Sequence, residues 1–358
     1  MSTFITYYTA SVINDKTLLS VISEMYQNDI VKHIGYTKDS YVYYLSNTNK
    51  VIKCFEKNKD EIDYEYELNI KLINFNKNKK LSLAAPEEIF YIQTINLNKI
   101  YCCLVLPYFK YDLETYENTD KLKKCTLETK RLLINQLMEG IDQLHELGFY
   151  HGDLKLKNIC IDIESSKNKS ELKIIDFGCS SFYSLYESRF ILKNTTTYAT
   201  PIQLVNHLIS FNKNCTCFNT NILCSYCVCE LSYKNKLMKI LIDKYNVKII
   251  KKSNTTINSI NNLNKEEKYE ELIEEDCKLN DKFGAALVMY FILTGQNFFN
   301  NSTVLSLIEE TLIFLNDPHK FINEKIIKIN DDLDEEYLDY FKSILLDYLK
   351  NINKDTIE

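Results

Sequence analysis

A chain of 358 residues that is 45% hydrophobic and 12% aromatic can bury a sizeable core, as two or three compact units or one large two-lobed domain. Its net charge of -6 excludes the broad basic footprint that nucleic-acid binding normally needs, and a local run such as Lys77-Asn78-Lys79-Lys80 reads as solvated loop. No apolar run reaches the roughly 18 residues of a membrane span, and the start Met1-Ser2-Thr3-Phe4 lacks the pattern of a secretory signal. The expectation is therefore a cytoplasmic, intracellular protein, the cytoplasm of a host cell included, with neither nucleic acid nor membrane as partner. Oligomeric state is left open. The 12 Cys mostly stand alone inside apolar runs, as Cys54, Cys102, Cys103 and Cys160 do, which is the pattern of buried reduced thiols. With 7 Gly, 4 Pro, no Trp and abundant Asn, Lys and Ile, the composition reflects an AT-rich coding bias, so Asn-rich loops carry no weight in the reading.

In chain order, Leu18, Val21, Ile22 and Met25 recur at helical spacing and predict a short amphipathic helix. Tyr41 to Phe55 has the β-branched and aromatic content of a hairpin, turning at Ser46-Asn47-Thr48-Asn49. A charged helix is expected from Glu61 to Ile73, then strands from Glu88 to Ile95 and from Ile100 to Leu106, which Pro107 ends. Asp112-Leu113 and the periodic stretch Leu132 to Leu147 read as helical. Leu172 to Ile175 is an apolar strand. Ala285 to Leu293 reads as a helix closed by Gly295, and Tyr337 to Leu349 as a terminal helix. Between about 203 and 280, a Cys cluster, a Lys-rich helical pattern and the acidic run Lys265 to Glu275 mark a composition shift that reads as an insertion. No internal repeat is evident.

Transfer of a phosphoryl group asks the protein for metal ligands, a group that orients the acceptor hydroxyl, and a cation on the phosphates. His151-Gly152-Asp153-Leu154-Lys155-Leu156-Lys157-Asn158 and Asp176-Phe177-Gly178 offer these types at workable spacing. The two segments resemble the catalytic loop H-R-D-L-K-x-x-N and the D-F-G metal motif of protein kinases. The resemblance implies that Asp153 orients the acceptor hydroxyl and accepts its proton, Lys155 touches the transferring phosphate, and Asn158 and Asp176 hold Mg²⁺. Lys155 in that place is similar to Ser/Thr kinases and unlike tyrosine kinases. ATP, Mg²⁺ and a protein substrate are the implied cofactors and partner.

The likeness extends from about Val31 to the C-terminus. The implied fold is α+β and two-lobed: a helical extension at 1–30, a β-rich N-lobe at 31–107, and a mainly helical C-lobe at 108–358 that carries the insertion. Lys53, in Val51-Ile52-Lys53, matches the strand lysine that pairs with the α- and β-phosphates. Its partner on the next helix would be Glu65, with Glu67 as the alternative. The Gly-rich loop departs most: Gly35 is kept, Thr37 and Ser40 replace the other glycines, and Val42 would cover the adenine. Leu106 falls at the gatekeeper position, with Pro107 and Phe109 supplying backbone groups to the base edge, while Asp112 reads equally as a ribose contact or a helix N-cap.

Thr195-Thr196-Thr197-Tyr198-Ala199-Thr200-Pro201-Ile202 resembles T-x-x-Y-x-A-P-E, with Ile202 in place of the Glu of a buried ion pair. Lys354, near where the partner Arg would lie, is then expected to be exposed. Asp281-Lys282-Phe283-Gly284 resembles D-x-W-S, and Asp281 would brace the catalytic-loop backbone. Gly152 replaces the loop Arg that in many relatives receives an activation-loop phosphate, which implies activity without that phosphorylation. Within the insertion, Cys215, Cys217, Cys224, Cys227 and Cys229 read either as a structural Zn²⁺ site or as reduced thiols in a variable loop. Two rival readings of the whole chain are a pseudokinase scaffold and a small-molecule kinase of the aminoglycoside or choline type. Retention of Lys53, Asp153, Asn158 and Asp176 speaks against the first. Lys155 and the Asp281 segment speak against the second.

Overall fold

Strand runs rich in β-branched and aromatic residues build the sheet of the first of two compact units, Met1–Lys110 and Tyr111–Glu358. The computed structural model describes residues 6–10, 15–36, 40–57, 69–75, 82–94, 100–118, 121–164, 169–177, 180–182, 198–205, 225–246, 248–249, 263–299, 303–327, 335–352 and 356–357. In the first unit these form β1 (Thr6–Ala10), α1 (Asp15–Met25), β2 (Val31–Tyr36), β3 (Ser40–Leu45), β4 (Lys50–Lys57), α2 (69–75), β5 (Glu88–Thr94) and β6 (Ile100–Pro107). The strands make one six-stranded sheet in the order β1-β5-β6-β4-β3-β2. From β5 to β2 the pairing is antiparallel, and β1 adds to β5 in parallel.

Period-2 alternation gives this sheet two buried faces. On one, Tyr43, Leu45, Ile52, Cys54, Phe90, Cys103 and Val105 pack with Leu18 and Ile22, so the periodic stripe of α1 is a cover for the sheet. On the other, Phe55, Ile89, Tyr91, Cys102 and Leu104 pack with Ile70 and Ile73 of α2. The turn between β3 and β4 is set by Asn49 at φ 55 and by Asp29. The Asp29 carboxylate accepts from the amides of Asn47 (2.7 Å) and Thr48 (3.1 Å) and from the Thr48 hydroxyl (2.6 Å), tying the segment after α1 to the hairpin tip.

The second unit holds β7 (Tyr111–Asp112), α3 (Leu113–Asn118), α4 (Lys121–Lys124), α5 (Leu127–Glu146), β8 (Phe149–Tyr150), β9 (Ile159–Glu164), β10 (Lys169–Ile174), β11 (Ser181–Phe182) and α6 (201–205). It continues with α7 (Ser225–Tyr245), β12 (Lys248–Ile249), α8 (Leu263–Thr294), α9 (Val304–Asn316), α10 (Pro318–Ile327), α11 (Glu335–Asn351) and β13 (Thr356–Ile357). Thr126 starts α5 by accepting the Thr129 amide, and Leu133, Ile134, Leu137, Met138, Ile141 and Leu144 form its buried stripe. Gln136 on α5 pins β10, donating to the Ser170 carbonyl (3.0 Å) and accepting the Leu172 amide (2.5 Å).

α8 departs from the sequence reading. The acidic run Lys265 to Glu275 and the apolar run Ala285 to Leu293 are one continuous 32-residue helix, because nothing between them breaks the backbone. Its last third, from Phe283 to Leu293, is buried all round, as befits a helix at the centre of a unit. Gly295, at φ 71, then closes it by donating to the Phe291 carbonyl (2.7 Å). Among the described residues, no helix is long and apolar enough to cross a membrane.

Below the end of α8, Phe298 sits in a ring cluster with Phe299 (4.9 Å between centroids), Tyr290 (5.1 Å), Phe341 (5.2 Å) and Phe321 (5.5 Å). Tyr290, Phe321 and Phe341 come from α8, α10 and α11, so one side chain joins three helices. Phe298→Ala is expected to cost about 3–5 kcal/mol, read as a lower Tm of the full chain. A melting curve that overlays wild type would contradict this packing.

Candidate active site

The loop after β8 is held in place before it offers any chemistry. Asp281, on α8 and 3% exposed, accepts the His151 amide (2.7 Å) and the Gly152 amide (3.0 Å), as the sequence reading expected of a brace. It also receives Nε2 of His145 at 3.0 Å, a contact that sequence reasoning missed. The available signal was the spacing of His145 on α5, one position after Leu144 and four after Ile141 on the buried stripe. Gly152 has φ 76, so a side chain there would be strained.

His151 is fully buried and joins the loop to the segment after β10. Its Nδ1 accepts the Asp153 amide (3.3 Å), which leaves the proton on Nε2 to donate to the Ile175 carbonyl (3.1 Å). Its ring also lies 5.6 Å from that of Phe177. The Ile175 amide in turn donates to the Asn158 carbonyl (2.8 Å), and the Ser180 hydroxyl to the His151 carbonyl (3.2 Å). Residues some twenty positions apart are thereby fixed as one polar layer.

Within that layer, Lys155 Nζ reaches Asp153 Oδ2 at 2.5 Å, both side chains being largely buried. Asn158, also buried, donates from Nδ2 to the Asp153 carbonyl (2.8 Å) and towards Oδ2 (3.4 Å). With Nδ2 committed, the amide oxygen is the end of Asn158 suited to a cation. Asp176 is exposed and sits at φ 64, in the left-handed region that Asp tolerates better than most residues. Asp112 accepts the Thr115 amide (2.7 Å) as the N-cap of α3. Opposite it on β9, burial and then the Asp112 charge push the Cys160 thiol up to about 12, so it stays protonated near neutrality.

In the first unit, register lines up a second group. Gly35 lies opposite Val42, Val42 opposite Lys53, and Lys53 opposite Leu104, so these four residues form one row across β2, β3, β4 and β6. A Cβ on Gly35 would meet nothing within 4 Å, and its φ is not positive, so neither packing nor backbone demands glycine there. Ser40 opens β3 and is buried. Leu106 pairs with Val51 and packs partly against the α2-side core, and Pro107 ends β6 opposite Lys50. Between Pro107 and the half-buried Phe109, the Tyr108 amide is spent on the Asn49 carbonyl (3.2 Å).

Ile202 is buried, so an apolar side chain fills the place where the resemblance puts one half of an ion pair. The start of α6 is held instead by Thr200 and Gln203, each side chain bonding the other's amide (3.3 and 3.0 Å). Thr37, Glu65, Glu67, Gly178, Thr195 to Thr197 and Lys354 lie outside the described residues, as do Cys215, Cys217 and Cys224. Cys227 and Cys229 lie on the first turns of α7. Among the described residues no group of three or more His, Cys, Asp and Glu is placed to hold an ion, so nothing here supports the zinc reading.

A mainly antiparallel sheet unit followed by a mainly helical one, with this braced loop, is the two-lobed architecture of a protein kinase. The chain belongs to that family: the protein kinase domain profile matches residues 29–283. It is similar to cyclin-dependent kinase 11.1 of Caenorhabditis elegans, at 27% identity over 124 residues, 30% of this chain and 16% of that protein. Cyclin-dependent kinase G-1 of Oryza sativa subsp. indica matches at 38% over 80 residues, 22% of this chain and 11% of the relative. A probable dual specificity protein kinase YAK1 homolog of Encephalitozoon cuniculi matches at 32% over 117 residues, 32% of this chain and 27% of the relative. The chain thus spans less than a third of the length of each of these relatives.

Proposed function

We propose that this protein transfers the γ-phosphate of ATP to Ser and Thr hydroxyls of protein substrates, with Mg²⁺, and does so without needing phosphorylation of its activation loop. The observation that carries the reading is the Asp153, Lys155 and Asn158 cluster, joined to the Asp176 segment through Ile175 and His151. Oδ2 of Asp153 is engaged by Lys155, which leaves Oδ1 to orient an acceptor hydroxyl and take its proton. Lys155 then stands beside the oxygen being phosphorylated. The Asn158 amide oxygen and the Asp176 carboxylate are hard oxygen donors, the kind Mg²⁺ takes alongside phosphate oxygens. Bound there, the metal would neutralise phosphate charge. Lys53 and Val42, paired across two strands, would meet the α- and β-phosphates and the adenine.

Gly152 supports the regulatory half of the proposal, since a glycine offers no cation to an activation-loop phosphate. Cys54, Cys102, Cys103, Cys125, Cys160 and Cys277 form no disulfide, which favours a reducing compartment such as the cytoplasm.

The test is labelled-ATP transfer by phosphatase-treated full chain, with Mg²⁺, to a panel of unrelated proteins and to small alcohols. Label on protein Ser and Thr, abolished by a chelator, is expected. Label on alcohols alone would establish the small-molecule reading instead, and no transfer to anything would leave a scaffold. Transfer that begins only after a phosphate is added within 195–197 would remove the regulatory half.

A further inference from the structure

Cys54 and Cys103 stand directly opposite one another on β4 and β6, on the sheet face covered by α1, and both are 0% exposed. Both are reduced. An antiparallel ladder alternates hydrogen-bonded with non-hydrogen-bonded pairs. The Tyr108 amide bonds the Asn49 carbonyl at 3.2 Å, which makes that pair a bonded one. Following the same register inward, Lys50 and Pro107, Ile52 and Val105, and then Cys54 and Cys103 fall at non-bonded positions. Cα atoms are closest at such positions, about 4.5 Å apart. That distance is within the range of roughly 4.4–6.8 Å that a disulfide spans. Cys102, next in sequence, lies opposite Phe55 and packs into the other face with Ile73 and Leu104, so register selects Cys54 as the partner of Cys103.

We propose that this pair is a modification site at which a hydroperoxide converts the two thiols into a cross-strand disulfide, stapling the strand of Lys53 to the strand of Leu106. One thiol sulfur is oxidised to a sulfenic acid as hydrogen peroxide is reduced and one water leaves. The second thiol attacks that sulfur, the S–S bond forms, and the sulfenic oxygen departs as a second water. Two electrons pass from the sulfur pair to the peroxide, and both thiol protons end in water. Burial, then the neighbouring Cys54 thiol, pushes the Cys103 thiol well above its ordinary range. The reaction therefore waits on local opening of the sheet and is slow in the resting chain.

The experiment treats folded full chain with excess hydrogen peroxide, alkylates remaining thiols with N-ethylmaleimide in denaturant, and maps the digested peptides by mass spectrometry. The expected product joins the peptides of Cys54 and Cys103, two hydrogens lighter than the reduced pair, and disappears with dithiothreitol. It persists in Cys102→Ala and is absent from Cys103→Ala. Mapping in wild type carries the result even where a variant folds poorly. Full alkylation of both cysteines after peroxide would overturn the proposal. So would linkage of Cys54 to Cys102 as often as to Cys103, or a link that forms only when peroxide meets the unfolded chain.

Discussion

Asp153→Asn is expected to lower phosphoryl transfer by about 10²–10⁴-fold, the range that a positioned acid or base supplies, while the melting temperature stays near that of wild type. Asn keeps the shape of the side chain, and its oxygen can still accept from Lys155 and Asn158, so the loop retains its fold. What it lacks is a second carboxylate oxygen able to take a proton. Parallel transfer assays and melting curves of the two proteins check both halves. Equal rates would remove Asp153 from the chemistry, and a collapsed melting temperature would recast it as a structural residue.

Asp281→Ala is expected to fail in both respects. The substitution leaves the His151 and Gly152 amides and the His145 Nε2 proton without their shared acceptor, in a place where the carboxylate is 3% exposed. Each orphaned donor costs about 1–3 kcal/mol. Activity should fall by at least about 100-fold, because a shift of even 1 Å in a positioned group can cost that much. Denaturant unfolding and transfer assays on the same preparations test it. Asp281→Asn should fall between, since its one remaining oxygen cannot serve both amides and its NH₂ faces N–H donors. Unchanged stability in the Ala variant would mean that other groups hold the loop.

The parts of the site legible in advance were those whose chemistry is local. His151 to Asn158 and Asp176 to Phe177 show their residue types within short segments, and the strand around Lys53 shows its alternation. The α1 stripe was equally plain as a helix, but its purpose was not, because a periodic stripe reports that a face is buried and not what covers it. β1 escaped notice altogether: five residues have too little pattern, and its pairing is with a strand more than eighty positions away. The helix read from Ala285 to Leu293 starts at Leu263 instead, since a change from acidic to apolar residues alters which surfaces α8 meets without interrupting its backbone.

His145 shows the same limit at the scale of one side chain. Its place on a buried helical stripe names no partner, and only the approach of α8 gives it Asp281, 136 positions away. Cys54 and Cys103 read separately as buried thiols, and their opposition depends on a register that a one-residue slip would undo. What the sequence by itself determined was the chemical repertoire: an acid, a lysine, an amide and a second acid at spacings set within single loops. Tertiary structure alone decided the contact of His145 with Asp281, the bridge from His151 to Ile175, and the row from Gly35 to Leu104. These depend on contacts between segments far apart in the chain, where packing and strand register, and not local propensity, choose the neighbour.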